Sequence, residues 1–394
     1  MKIASPNRSR PRLSVAMVVR NEEGVLAESI ESVRSIADEM ILLDTGSTDK
    51  TATAAWRLGA TVAKMAWQHD FAAARNRCLD LLTGDWVLWL DAGERLAAEA
   101  AMLLRTFVDR SADAGKAYRL TVAIPPADGG EIGGEEIAQI RLVPAQAGLR
   151  FSGRVRETLQ PALEAQGMKI EAVAARILRH PRQHDQAWKT LKADRNLTLA
   201  ALEAADHAVP VPRLLLTEGE AYCTLGMFDQ ARHAYLAALD AAPPASTAML
   251  EAYYGLLGCY AGDPFLAHHQ LRVCVEALGV FPTDTQLLLT LGNYLYTRNH
   301  VETAVKAFDT AVRFGRVNPE VWHLGDLGKL AEMCLNAALG LRDASPPAQP
   351  ALKPPVAGLP GRMLRLDHPA PSKEASPGHL PLPSDALSSH TISL

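Results

Sequence analysis

The chain has 394 residues, 48% apolar and 21% charged, enough to bury the cores of two or three packed domains. Its net charge of −4 comes without a long basic block, so nucleic acid is excluded as an expected partner. Five cysteines show neither a C-x-x-C nor a paired spacing, and all fall in helical patterns, which reads as buried thiols in a reducing compartment. The first twelve residues are basic and polar with no signal-type segment, and Leu13–Val19 is too short to cross a bilayer. The expectation is a cytoplasmic protein without a transmembrane segment, peripheral to the inner membrane if its acceptor is a lipid.

Leu13–Val19 is a continuous apolar run, read as a strand buried on both faces, and Arg20-Asn21-Glu22-Glu23 follows it. Val25, Leu26, Ile30 and Val33 then mark one face of a helix. Met40–Leu43 is a second strand, followed by Asp44-Thr45-Gly46-Ser47-Thr48-Asp49 and a helix with Ala52, Ala55 and Leu58 on its apolar side. Gly46 lets the backbone turn off the strand, and Thr48 or Asp49 caps the helix. A third buried strand begins at Trp86 and stops on Asp91 and Glu94. Strands alternating with helices predict a parallel sheet with crossover helices, and the three polar clusters sit at its carboxyl edge, where open α/β sheets bind ligands. Asp91 and Glu94 either hold a divalent cation through hard oxygen ligands, or cap the next helix.

Together these residues resemble the family 2 glycosyltransferases of the GT-A fold, whose N-terminal block runs N-E, D-x-G-S-x-D-x-T, A-R-N and D-x-D. The matching elements are Asn21-Glu22, Asp44-Thr45-Gly46-Ser47-Thr48-Asp49-Lys50-Thr51, Ala74-Arg75-Asn76 and Asp91-Ala92-Gly93-Glu94. The closest subgroup is similar to bacterial enzymes with tetratricopeptide repeats behind the transferase domain. The resemblance implies a nucleotide-sugar donor, commonly a uridine diphosphate sugar, and transfer with inversion. It implies donor-binding roles for Asn21, Glu22, Asp44, Gly46, Ser47, Arg75 and Asn76, with Asp44 reading the base. Arg75 either contacts the donor or pairs with Asp70. A magnesium or manganese ion on Asp91 and Glu94 would serve the diphosphate.

Two departures bear on that metal. The family's second D-x-D carboxylate is Gly93 here, and the subgroup's G-R-V-H-E reads Gly153-Arg154-Val155-Arg156-Glu157, with arginine in place of histidine. The paired change suggests weakened metal dependence, with Arg156 bringing part of the positive charge to the donor phosphates. Glu157 is the expected general base and Asp91 its catalytic companion, unless Glu157 only pairs with Arg154 or Arg156. Arg141, in Ile140–Val143, is either a phosphate or a structural arginine.

Residues 160–205 read as largely helical, with Trp188, Leu191, Leu199 and Leu202 near a helical period. His180 and His184 flank Pro181, which argues against a metal pair on one helix. Beyond them a helical-hairpin pattern recurs at Gly219, Gly255 and Gly292, 36 and 37 residues apart, close to the 34 of tetratricopeptide repeats. Such arrays hold peptides or partner proteins, or only brace the neighbouring domain. After 343, eleven prolines fall in 51 residues without an apolar period, which predicts disorder. The expected architecture is a flexible segment 1–11, an α/β GT-A domain with a mostly parallel sheet at 12–180, a helical connector at 181–210, all-α tetratricopeptide-like repeats at 211–343, and a disordered tail at 344–394. The expected activity is inverting transfer of a hexose-type sugar to a peptide, protein or glycan, with the repeats binding acceptor or partner. The competing reading is a degenerate nucleotide binder attached to a repeat adaptor.

Overall fold

The computed structural model describes residues 10–126, 134–145, 148–180, 186–207, 211–261 and 264–343. His184, the proline-rich tail and residues 1–9 lie outside them. The chain opens with β1 (Leu13–Val19), α1 (Leu26–Val33), β2 (Glu39–Asp44), α2 (Thr51–Arg57), β3 (Thr61–Lys64), α3 (Phe71–Leu79) and β4 (Trp86–Trp89). It continues with β5 (Glu94–Leu96), α4 (Ala98–Arg110), β6 (Lys116–Ile124), β7 (Glu135–Pro144), α5 (Gln160–Ala165) and β8 (Lys169–Arg179). One sheet results, in the order β3-β2-β1-β4-β7-β6-β8-β5.

The first four strands are parallel, as their alternation with helices requires. The other half is mixed: β7 runs antiparallel to β4 and β6, β8 parallel to β6, and β5 antiparallel to β8. Leu13, Val15 and Met17 face a core with Leu26, Ile30 and Leu104, while Ala16 faces the opposite core with Ala74, Cys78 and Trp89. Burial on both faces explains why β1 and β4 carry no polar alternation.

Residues 160–205 depart from the helical expectation. Lys169–Arg179 is a strand, with Val173, Ala175 and Ile177 buried in alternation. Its alanines favour a helix locally, but pairing with β6 and β5 overrides that preference. The helix that follows, α6 (Gln186–Ala204), buries Leu199 but leaves Trp188, Leu191 and Leu202 substantially exposed.

The remaining elements are α7 (Pro212–Thr224), α8 (Phe228–Ala241), α9 (Thr247–Tyr260), α10 (Ala267–Val280), α11 (Thr285–Thr297), α12 (Val301–Phe314), the short β9 (His323–Leu324) and α13 (Leu327–Asp343). Small residues let these helices close: a β-carbon at Gly219 or Gly255 would collide with the Tyr235 ring, and one at Gly292 with Phe308. Equivalent repeat positions also bring Cys223 and Cys259 together, Sγ to Sγ 3.4 Å, a proximity the irregular cysteine spacing conceals. All five cysteines are free.

The helical part does not simply follow the sheet; it returns to it. β9 pairs antiparallel with the Glu135–Glu136 end of β7. Ala138 donates to the Pro319 carbonyl at 2.6 Å, and Arg119 pairs with Glu320 at 2.9 Å.

Candidate functional site

The carboxyl ends of β1 and β2 are stitched into one rim. Asn21 sits at φ +55°, its amide donates to Ser47 Oγ at 3.0 Å, and its Oδ1 accepts from the Thr48 amide at 2.7 Å. Asp44 is buried at the end of β2, and its Oδ1 accepts from the amides of Gly46 and Ser47 at 3.1 and 2.8 Å. The Glu22 amide donates to Thr51 Oγ1 at 2.7 Å. Asp49, rather than Thr48, serves the start of α2, accepting from the Thr51 amide at 2.9 Å. Five of the expected donor residues, Asn21, Glu22, Asp44, Gly46 and Ser47, therefore share one shelf whose shape they fix through hydrogen bonds to each other and their neighbours.

Beside this shelf lies a cluster of three guanidinium groups and three carboxylates. From α3, Arg75 donates through Nε to Glu157 at 2.6 Å and through a terminal nitrogen to Asp91 at 3.1 Å. Its guanidinium lies 5.0 Å from the Trp89 ring and 5.4 Å from Phe151. Asp70, the alternative partner, instead caps α3 by accepting from the Ala73 amide. From β7, Arg141 donates to Glu94 at 2.8 Å and to Asp91 at 3.2 Å. From β8, Arg179 donates to Glu94 at 2.6 Å and lies 3.4 Å from Asp91. Glu94 is wholly buried, whereas the Asp91 side chain is 37% exposed. Burial would raise the Asp91 pKa, but the charges of Arg141, Arg75 and Arg179 overrule it and hold the group well below the usual carboxylate range.

Glu157 is carried by a loop gripped from both sides. Asn76 clamps Phe151 with its side chain, donating to the carbonyl at 2.9 Å and accepting from the amide at 2.8 Å. The Ser152 and Thr158 backbones pair across the loop. From the helical side, Glu203 of α6 accepts from the Arg154 amide at 2.7 Å, and Arg213 of α7 donates to the Val155 carbonyl at 3.0 Å. Asn76 thus shapes the loop that carries Glu157. Arg156, at φ +49°, points away from the carboxylate cluster: it pairs with Glu251 of α9 at 2.5 Å and Glu220 of α7 at 2.9 Å. Opposite charge on the repeats commits its guanidinium there, so the structure does not bring it together with the expected donor residues.

The divalent ion implied by the resemblance does not fit this donor set. Both oxygens of Asp91 accept guanidinium N–H groups. One oxygen of Glu94 accepts from Arg141 and Arg179, and the other from the Asp91 amide at 2.8 Å. Gly93, at φ +84°, makes the turn that folds Glu94 back under Asp91, a conformation in which an aspartate would be strained. The Asp91 and Glu94 oxygens expected as ligands are engaged by arginines and by the Asp91 amide.

Sequence reasoning missed Arg179 and Arg195. Arg179 continues the inward-facing series Val173, Ala175, Ile177, and a charge on that face was the available signal. Arg195 lies on α6 with its guanidinium 5.0 Å from the Phe71 ring and donates to Asn196 Oδ1 at 3.0 Å. Its proximity to the site depends on how α6 packs, which no local pattern reports.

The family model described as glycosyl transferase family 2 matches residues 14–107. A TPR repeat-containing protein of Synechococcus elongatus is 33% identical over 174 residues, 43% of this chain and 42% of that protein. A glycosyltransferase of Rickettsia conorii, itself uncharacterized, is 32% identical over 114 residues, 29% of this chain and 40% of that protein. The chain thus spans less than half the length of these relatives. Among solved structures, glucosyl-3-phosphoglycerate synthase from Mycobacterium tuberculosis aligns with a TM-score of 0.37 and 19% identity, over 49% of this chain and 79% of that one.

Proposed function

We propose that the family 2 glycosyltransferase domain at residues 14–107, completed by the strands behind it, transfers a hexose-type sugar with inversion from a nucleoside diphosphate donor. A uridine diphosphate sugar is the proposed donor and a peptide, protein or glycan the proposed acceptor. The observation that carries this reading is the meeting of Asp91, Glu157 and Arg75 at the sheet's carboxyl edge, next to the shelf built by Asn21, Asp44 and Ser47. The nucleoside lies on the shelf, with Asp44 reading the base and Glu22, Gly46 and Ser47 shaping its seat, and the diphosphate lies toward the arginines.

Glu157 serves as the general base. Its Oε1 is held by Arg75, while Oε2 has no hydrogen-bond partner among the described residues and accepts the acceptor's proton. The acceptor oxygen forms its bond to the anomeric carbon as the bond to the diphosphate oxygen breaks, on the opposite face of the sugar. Asp91, fixed by three guanidiniums, orients Arg75 and the sugar rather than accepting a proton. The repeats hold the acceptor or a partner protein. No described helix is long and apolar enough to cross a membrane, and the five free thiols fit a cytoplasmic setting.

Release of nucleoside diphosphate from a panel of donor sugars, beside an Asp91→Ala control, tests the reading. Release that the control abolishes supports it and names the sugar. The second reading, a nucleotide-binding but inert domain, draws on the occupied carboxylates; binding of a donor without release, with peptide and glycan acceptors supplied, would favour it.

A further inference from the structure

Resting on the reading above, we propose that the donor's diphosphate is held directly by arginines, Arg75, Arg141 and Arg179 inside and Arg20 and Arg195 at the rim, so that donor binding needs no divalent cation. The charges set the case out. Three guanidiniums face three carboxylates in the cluster, Asp91, Glu94 and Glu157, and balance them. Arg20, which follows β1, and Arg195 add two positive charges. Neither forms an ion pair among the described residues; Arg195 lies over the Phe71 ring and donates to Asn196 Oδ1 at 3.0 Å.

A second observation points to a missing acceptor. Trp89 Nε1 and Arg141 Nε are buried N–H donors without a hydrogen-bond partner. Their residues follow the paired Leu88 of β4 and precede the paired Leu142 of β7, so they come from neighbouring strands. Buried donors left unpaired are costly, and oxygen-rich groups relieve them. A diphosphate offers many acceptor oxygens, and guanidinium forks match phosphate edges in pairs. The carboxylates that a metal would need are already engaged by the same arginines, so cation and arginines compete for one set of oxygens. The replacement charge, expected from sequence at Arg156, comes instead from Arg20 and Arg195.

Calorimetric titration of the full chain with uridine, guanosine, cytidine and adenosine diphosphates, and with the matching nucleosides, tests this in manganese and in chelator. One diphosphate should bind equally well in both. Arg195→Ala should weaken that diphosphate roughly tenfold or more, the scale of one charged hydrogen bond, and leave the nucleoside unchanged. Arg195→Lys should restore part of the loss, and melting curves of both variants establish that they fold. Diphosphate binding that appears only with manganese would overturn the arginine cradle and leave the transferase reading standing. An equal loss for nucleoside and diphosphate in Arg195→Ala would overturn it as well. Silence from every nucleotide and nucleoside in both conditions would sink the donor-site reading itself.

Discussion

Glu157 and Asp91 occupy the same cluster but meet different constraints. Glu157 keeps one oxygen without a hydrogen-bond partner among the described residues, whereas both oxygens of Asp91 are spent on arginines. Glu157→Gln should therefore lower the transfer rate by about 10²–10⁴-fold while leaving affinity for the nucleoside unchanged, a split that kcat against the nucleoside Kd reads directly. Equal losses in both would make Glu157 structural. For Asp91 the linkage runs through its depressed folded-state pKa. The stability it contributes is present above the unfolded value, about 4, and is lost as pH falls from there toward the lower folded value. Urea midpoints of wild type and Asp91→Asn should differ by a constant amount from pH 8 to 5, with wild type the more stable, and the gap should narrow progressively as pH falls below about 4. A gap that widened in acid would contradict the arginine assignment.

At the scale of elements, the loop 151–158 joins two structures that the sequence presents as separate. Its residue Arg156 reaches Glu220 and Glu251 on the repeats while the next residue, Glu157, reaches Arg75 in the sheet domain. A double-mutant cycle of Arg156→Ala and Glu251→Gln, followed by denaturant unfolding, should give a coupling of about 0.5–3 kcal/mol. Coupling near zero would mean that the pair is only a surface contact. Much at this scale was legible in advance. Strands β1, β2 and β4 show as unbroken apolar runs because both their faces are buried, and the repeat glycines show because close helix packing admits no β-carbon. β8 was not legible, since alanines at 172, 174 and 175 erase the polar alternation of a strand. The carboxylate half of the site could be found because motifs sit at strand ends. Of its arginines, Arg75 and Arg141 showed in sequence motifs, whereas Arg179 could not be placed, because it joins Arg141 at Glu94 only through the order of β7 and β8 in space.

For the whole molecule, the return of the chain to its own sheet is decisive. β9 covers one end of β7, and Leu324, Leu327 and Leu330 are buried where the last repeat helices meet α13. Ending the chain after Gly315 should remove roughly 1.5–3 kcal/mol for each of those leucines and bare a strand edge. A lowered melting temperature, with aggregation at micromolar concentration, is the expected result in a thermal scan with light scattering. An unchanged melting curve would show that β9 and α13 are accessories.

That same return limits how such a protein can grow. An open array can gain or lose a hairpin at its free end without disturbing the rest. Here residues 318–325 must arrive at β7 in register, so the helices between the Glu157 loop and β9 form an arch of set span. Inserting one more hairpin would carry the far footing away from its strand. New length can be accommodated only outside the arch, beyond α13, or by breaking the arch and giving up its hold on the sheet.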